Sequence, residues 1–436
     1  MPGTRISAED AAALVKSGDW VDYGFGLGQP DAFDRALGAR AAELSGVKIR
    51  AAFTLHPRAV LQADPAGEHF LWFSWHFSGY DRGQHDVGRC NYIPLNFGEA
   101  PDYYRRFIEP VDVVCLKTTP MDEHGYFNFG AAVTYHKAIV ERAKTVIVET
   151  CASMPYVYGA EESVHVSDVD YVIDGGDAPI QEFGNPAATE LDHTVARIIA
   201  AEIEDGACLQ IGIGGMPNAV CGLLKEAGVR DLGIHTEMLV DGMIDLCEAG
   251  LITGARKAIN REQIVFTFAA GSRKQYDFIH RNPRVQSFPV DYTNLPHHIM
   301  QNDRVVSINN TTQVDLQGQA ASESAGIRHI SGTGGQLQFV RGAYASKCGK
   351  SFICLSSTYE RHGARASRIV AELTPGNIVT TPRSDVMYVV TEYGIVNLKG
   401  KSVAERATVL IQLAHPDFRE QLAREARERN LIPRGF

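Results

Sequence analysis

One carboxylate in this chain stands where chemistry would need it. In "LGIHTEM", residues 232–238, a short apolar run ends at Glu237, downstream of a strand, glycine turn and helix that open with "LQIGIGGMPNAV" at 209–220. In doubly wound folds, ligands sit at the carboxyl ends of strands, so an acid at that place can face a bound substrate. The same position also suits a helix cap or a surface charge, so place alone does not assign it. A second glycine-dense turn, "SGTGGQ" at 331–336, leads into another helix. Such turns leave backbone N–H groups free, and two of them with one carboxylate can make a nucleophile facing an oxyanion hole. For Gly332, Gly334 and Gly335 the plainer alternative is a tight loop that needs positive φ.

Other chemistries fail on spacing or charge. A dinucleotide GxGxxG needs glycine at 29 or 217, where the chain has Gln29 and Pro217. The two "GKS" strings, 349–351 and 400–402, lack the earlier glycine of a phosphate loop. Eight cysteines form no CxxC pair and no zinc spacing, so free thiols in a reducing cytoplasm are expected, without a metal. A net charge of −10 argues against nucleic-acid and anionic-membrane partners. The stretch from Ser7 to Asp10 reads as a capped helix start rather than a secretory signal, and no apolar run is long enough to span a membrane.

The elements that must position Glu237 are written twice. Val21, Tyr23, Gly24, Phe25 and Gly26 lie opposite Leu209, Ile211, Gly212, Ile213 and Gly214 at a constant offset of 188, and Ile49 lies opposite Ile234. This repeat of helix, strand, glycine turn, helix and strand predicts two α/β domains of similar topology. The loop "DGGDAPIQEFGNPAAT" at 174–189 marks a linker, dividing the chain into domains 1–185 and 186–436, the second carrying Glu237. In the first copy the position opposite Glu237 is Ala52, so only the second copy has an acid to offer. From Ser402 onward two helices are expected, broken at Pro416.

"GIGGMPNAV", "GIHTEMLVDG" and "SGTGGQLQFVRGA" followed by "GKSFICLSST" closely resemble the acetyl-CoA hydrolase/transferase family of class I coenzyme A transferases, nearest to its 4-hydroxybutyrate and butyryl-CoA:acetate members. The resemblance implies two structurally related open α/β domains and a catalytic glutamate at Glu237. It implies exchange of CoA between a short-chain acyl-CoA and acetate through glutamyl anhydride and glutamyl-CoA thioester intermediates. Acyl-CoA hydrolysis on the same scaffold is the alternative. CoA would be a substrate, with no cofactor bound permanently, and a homo-oligomer is expected. Backbone N–H groups of Ile213, Gly214, Gly215, Gly334 and Gly335 are the candidates for holding tetrahedral oxyanions, each such donor contributing roughly 2.7–4 kcal/mol. Gln29, Met216 and Gln336 are candidates for substrate contact. Lys347, Lys350, Arg256 and Lys257 lie near the motifs in sequence and could hold the CoA phosphates. Glu323 and Glu99 are rival acids, and the aromatic run "FLWFSWHF" at 70–77 is pocket wall or core.

Overall fold

A computed structural model describes residues 2–184, 187–212, 214–361 and 363–433. Two compact units emerge: residues 1–183 with 237–239 and 265–293, and residues 184–236 with 240–264 and 294–436. The expected boundary at residue 185 lies outside the described residues. The division is also not contiguous, since the first unit contains Glu237–Leu239.

The first unit is built on an eight-stranded sheet. Its order is Thr4–Arg5, Tyr171–Asp174, Thr145–Thr150, Val113–Thr118, Trp20–Phe25, Val47–Ala52, Phe70–Ser74 and Cys90–Tyr92, with every neighbouring pair parallel. Strands covered on both faces should be continuously apolar, and Val113–Thr118 is buried at all six positions. Val21, Tyr23, Ile49, Trp72 and Ile147 form the core with Phe33 and Leu37 of the helix Ala32–Ala39. The aromatic run resolves as core, because Phe70, Trp72 and Phe77 all belong to this cluster.

In the second unit the strands Gly233–His235, Cys208–Ile211, Val305–Asn310, Lys350–Cys354 and Tyr388–Thr391 lie side by side in parallel, closed by the antiparallel Gly394–Asn397. The repeat is visible in the ladder registers. Val21 pairs with Ile49 on one side and Val113 on the other; Leu209 pairs with Ile234 and Val306. The fold is therefore α/β, with two related open sheets. In each, the strand before the glycine turn has its sequence successor on one flank and a later strand on the other, which opens a crevice at its carboxyl end.

Glu237–Leu239 joins the first unit because Met238 and Leu239 pair in parallel with Phe268 and Ala269. Ala269 in turn donates its N–H to the Ala131 carbonyl (2.8 Å). The Phe268 ring packs on Phe25 (4.7 Å between centroids), Phe53 (5.8 Å) and Phe97 (6.4 Å). Packing of four aromatic rings outweighs sequence order in deciding where this segment belongs. At the ends of the chain, Ser7 accepts the Asp10 N–H, and helices Val403–Leu413 and Pro416–Glu428 meet at the expected break. Among the described residues no helix is long and apolar enough to cross a membrane.

Candidate functional site

Glu237 sits at a bend between the strands Gly233–His235 and Met238–Leu239. It is half-buried, whereas His235 and Thr236 before it are buried. Its carbonyl accepts the N–H groups of Thr267 (3.0 Å) and Phe268 (3.3 Å), which fix the backbone that carries the carboxylate. Two residues on, the Leu239 carbonyl accepts from Nε2 of Gln275, a fully buried side chain (2.7 Å). A carboxylate anchored by backbone ladders on rigid elements is held in one orientation, as a nucleophile would need.

The second-copy glycine turn caps the helix Gly215–Ala227, with Gly214 at φ 129° as its N-cap. A Cβ on Gly215 would stand 3.0 Å from Asp192 Oδ2 and 3.2 Å from Ala188 Cα, so a larger residue there would push its neighbours aside by a few tenths of an ångström. Gly215 and Met216 line a crevice of about 290 Å3 with Asn310, Thr311, Ser356 and Arg368, at the switch point of the second sheet. Ile213 lies outside the described residues. Gly334, at φ 55°, and Gly335 open the helix Gln336–Ala345.

Glu323, one of the rival acids, anchors that second turn. Its carbonyl accepts from Ile330 N–H (2.8 Å) and Ser331 N–H (3.3 Å), and its carboxylate from Thr380 Oγ1 (2.9 Å) and Thr333 Oγ1 (3.5 Å). Burial raises its pKa despite those hydroxyl donors. Glu99 is an N-cap residue that accepts from Asn96 Nδ2 (3.1 Å). Gln336 is buried and gives its amide to Thr381 Oγ1 (3.0 Å). Gln29 is wholly buried and ties its turn to the neighbouring strand end, donating to the Ala52 carbonyl (2.9 Å) and Thr54 Oγ1 (3.2 Å).

Of the cations near the motifs, Lys257 is buried with its Nζ on the carbonyls of Ile234 (2.9 Å) and Gln263 (2.8 Å), so it cannot meet a phosphate. Burial brings its pKa down to about 8. Arg256 grips Asp231 and Lys350 grips Glu202, while Lys347 is exposed. Among the described residues no cluster of three or more His, Cys, Asp or Glu is placed to hold a metal.

Sequence reasoning left the first glycine turn idle and missed His136 beneath it. His136 is fully buried, and its Nε2 accepts the Phe25 N–H (3.0 Å). A Cβ on Gly24 would stand 2.5 Å from Nε2 and one on Gly28 would stand 2.4 Å from Cε1, so both glycines exist to admit the ring. Burial pushes the imidazole down to about 3, keeping it neutral and able to accept. Nothing local marks His136, which reaches the turn from 111 residues away.

The acetyl-CoA hydrolase/transferase N-terminal domain model matches residues 3–181, and the C-terminal domain model matches residues 271–426. The chain belongs to the acetyl-CoA hydrolase/transferase family and is an enzyme of the CoA-transferase class. It is 47% identical over 432 residues to the butyryl-CoA:acetate CoA-transferase of Anaerostipes caccae, covering 98% of this chain and 97% of that one. It is 39% identical over 428 residues to the 4-hydroxybutyrate coenzyme A transferase of Clostridium kluyveri, covering 97% of each. The crystal structure of RipA from Yersinia pestis superposes with a TM-score of 0.90 at 39% identity, covering 98% of both chains.

Proposed function

We propose that this enzyme exchanges CoA between a short-chain acyl-CoA, butyryl- or 4-hydroxybutyryl-CoA, and acetate, with Glu237 as the nucleophile. The observation that carries the reading is the half-buried carboxylate held at a bend by backbone hydrogen bonds, in a chain of this family. A Glu237 oxygen attacks the thioester carbonyl, the C–S bond breaks, and CoA leaves as thiolate from a glutamyl–acyl anhydride. The thiolate then attacks the glutamyl carbonyl, and the first acid departs with the bridging oxygen. Acetate attacks the resulting glutamyl-CoA thioester and runs the two steps in reverse. An anhydride preserves the transfer potential of the thioester, which is why a carboxylate serves here better than a hydroxyl or thiol. Backbone N–H groups of residues 213–215 and 334–335 are assigned to the tetrahedral oxyanions, and Met216 to the substrate wall. A cytoplasmic homo-oligomer is part of the reading; no disulfide joins the eight cysteines, seven of which are buried.

Oxygen tracing tests it. With ¹⁸O-acetate and butyryl-CoA, label should pass through the enzyme into butyrate over repeated turnovers. Thiol release that proceeds without acetate, with oxygen drawn from labelled water, would instead mean hydrolysis.

A further inference from the structure

Among the described residues ten that are not glycine have positive φ, and Thr134, at φ 38°, is the only one of them that is β-branched and the only one wholly buried. The left-handed region is small for any residue with a Cβ and most costly for a branched one, so this backbone must be held in place by its surroundings. A second cost lies at the same spot. The Thr134 hydroxyl is buried without a hydrogen-bond partner among the described residues, and so is that of Thr267 beside it. Stability alone would not choose threonine here.

Thr134 stands between two anchored segments. Before it, the Ala131 carbonyl accepts the Ala269 N–H (2.8 Å), and Ala132 bridges antiparallel to Phe268. After it, Tyr135 Oη donates to the Gly24 carbonyl (3.3 Å) and His136 Nε2 accepts the Phe25 N–H (3.0 Å), so the chain is pinned on the first glycine turn. The backbone of Thr134 itself is tied twice. Its N–H donates to the Thr267 carbonyl (3.4 Å), and its carbonyl accepts from the Val290 N–H (2.8 Å). Thr267 and Phe268 are the residues whose N–H groups hold the Glu237 carbonyl. One path of hydrogen bonds and peptide links therefore runs from the first glycine turn through residue 134 to the backbone of Glu237.

Strained residues persist where fixed neighbours over-determine them, and they gather where a site needs close placement. A Cβ confines residue 134 to the narrow left-handed well, whereas glycine ranges over far more of φ and ψ and would let the segment 267–269 drift. We infer that Thr134 is a positioning residue for Glu237: its constrained left-handed turn fixes the segment 267–269 and, through it, the backbone that aims the carboxylate. The first glycine turn, which has no acid of its own, serves the reaction as the far anchor of this support. The inference rests on Glu237 being the nucleophile proposed above.

Thr134→Ala and Thr134→Gly both lack the γ atoms and differ only in the Cβ, so the pair separates placement from packing. Glycine relieves the left-handed strain that alanine keeps, so Thr134→Gly should unfold at a higher urea concentration than Thr134→Ala, the reverse of their usual order. Activity should run the other way. For CoA transfer from butyryl-CoA to acetate, kcat should be about tenfold lower in Thr134→Gly than in Thr134→Ala, with KM for both substrates within about twofold. A purely structural residue would give activity in the order of stability. Thr134→Asn, which keeps a Cβ and suits left-handed backbone, gives the same comparison with glycine where alanine is too unstable to purify. Equal kcat in the two variants, or a lower kcat in Thr134→Ala, overturns the inference and leaves CoA transfer through Glu237 standing. So does Thr134→Gly unfolding no later than Thr134→Ala, since no strain then sits at residue 134. Glu237→Gln is measured beside them: transfer at the unmodified rate removes the proposed nucleophile and the inference with it.

Discussion

Replacing His136 with glutamine should remove an acid-sensitive contribution to the stability of the first unit. The wild-type imidazole is pushed down to about 3 by burial, against 6.5 in the open chain. Because the folded value lies below the unfolded one, the unfolded chain takes up the proton first, and stability is lost as pH falls from 6.5 toward 3. At about 1.4 kcal/mol per pH unit, the loss reaches roughly 3 kcal/mol by pH 4 and roughly 5 over the whole window. Asp22 works in the opposite sense. Burial raises it to about 6 against the Arg50 charge, so it binds a proton in the fold first, and its contribution grows as pH falls from 6 toward 3.8. Acid unfolding of the wild type alone therefore mixes two opposed titrations, and comparison with His136→Gln isolates one. Glutamine can still accept the Phe25 N–H but does not titrate. All three tryptophans, Trp20, Trp72 and Trp75, lie in the first unit, so urea unfolding followed by tryptophan fluorescence reports on that unit. Between pH 7 and 4 the variant should gain roughly 3 kcal/mol relative to wild type. A gap that is the same at both pH values refutes a neutral, hydrogen-bond-accepting His136.

Three other substitutions probe the supports of the site. Glu237→Gln keeps the shape but lacks the nucleophilic charge, so kcat should fall at least about a thousandfold while circular dichroism is unchanged. Gln275→Leu leaves the Leu239 carbonyl buried without its donor, which should cost about 1–3 kcal/mol in urea unfolding. Because Glu237 is two residues away, kcat should drop more than KM rises. Gly28→Ala drives a Cβ to 2.4 Å from His136 Cε1 and should destabilise the first unit by about 1–3 kcal/mol, measured by the same fluorescence.

The repeat was legible because its signal is local: apolar strand, glycine turn, helix and strand recur in order, and the ladders reproduce the alignment at Val21–Ile49 and Leu209–Ile234. The place of Glu237 just past a strand end was legible for the same reason, opposite Ala52 in the first copy. Its membership of the first unit was not. That depends on pairing with Phe268 and on three aromatic partners, and a short apolar strand does not announce its neighbour. The tie between Thr134 and Thr267 was hidden by distance along the chain, and a left-handed φ at a threonine has no signature in sequence. Glu323 has the same acidic side chain as Glu237 in sequence. The N–H groups of Ile330 and Ser331 on its carbonyl, with the hydroxyls of Thr380 and Thr333 on its carboxylate, mark it as a loop anchor.

Chemical capture of the covalent intermediate bears most directly on Glu237. The enzyme is incubated with acyl-CoA in the absence of acceptor, treated with borohydride, digested, and the peptide containing "HTEM" weighed. A glutamyl-CoA thioester is reduced to a primary alcohol, leaving the side chain about 14 mass units lighter than the carboxylic acid, and activity should be lost only when acyl-CoA is present. Unchanged mass at Glu237 with activity retained, or the same mass loss at Glu323 or Glu99, would contradict the assignment.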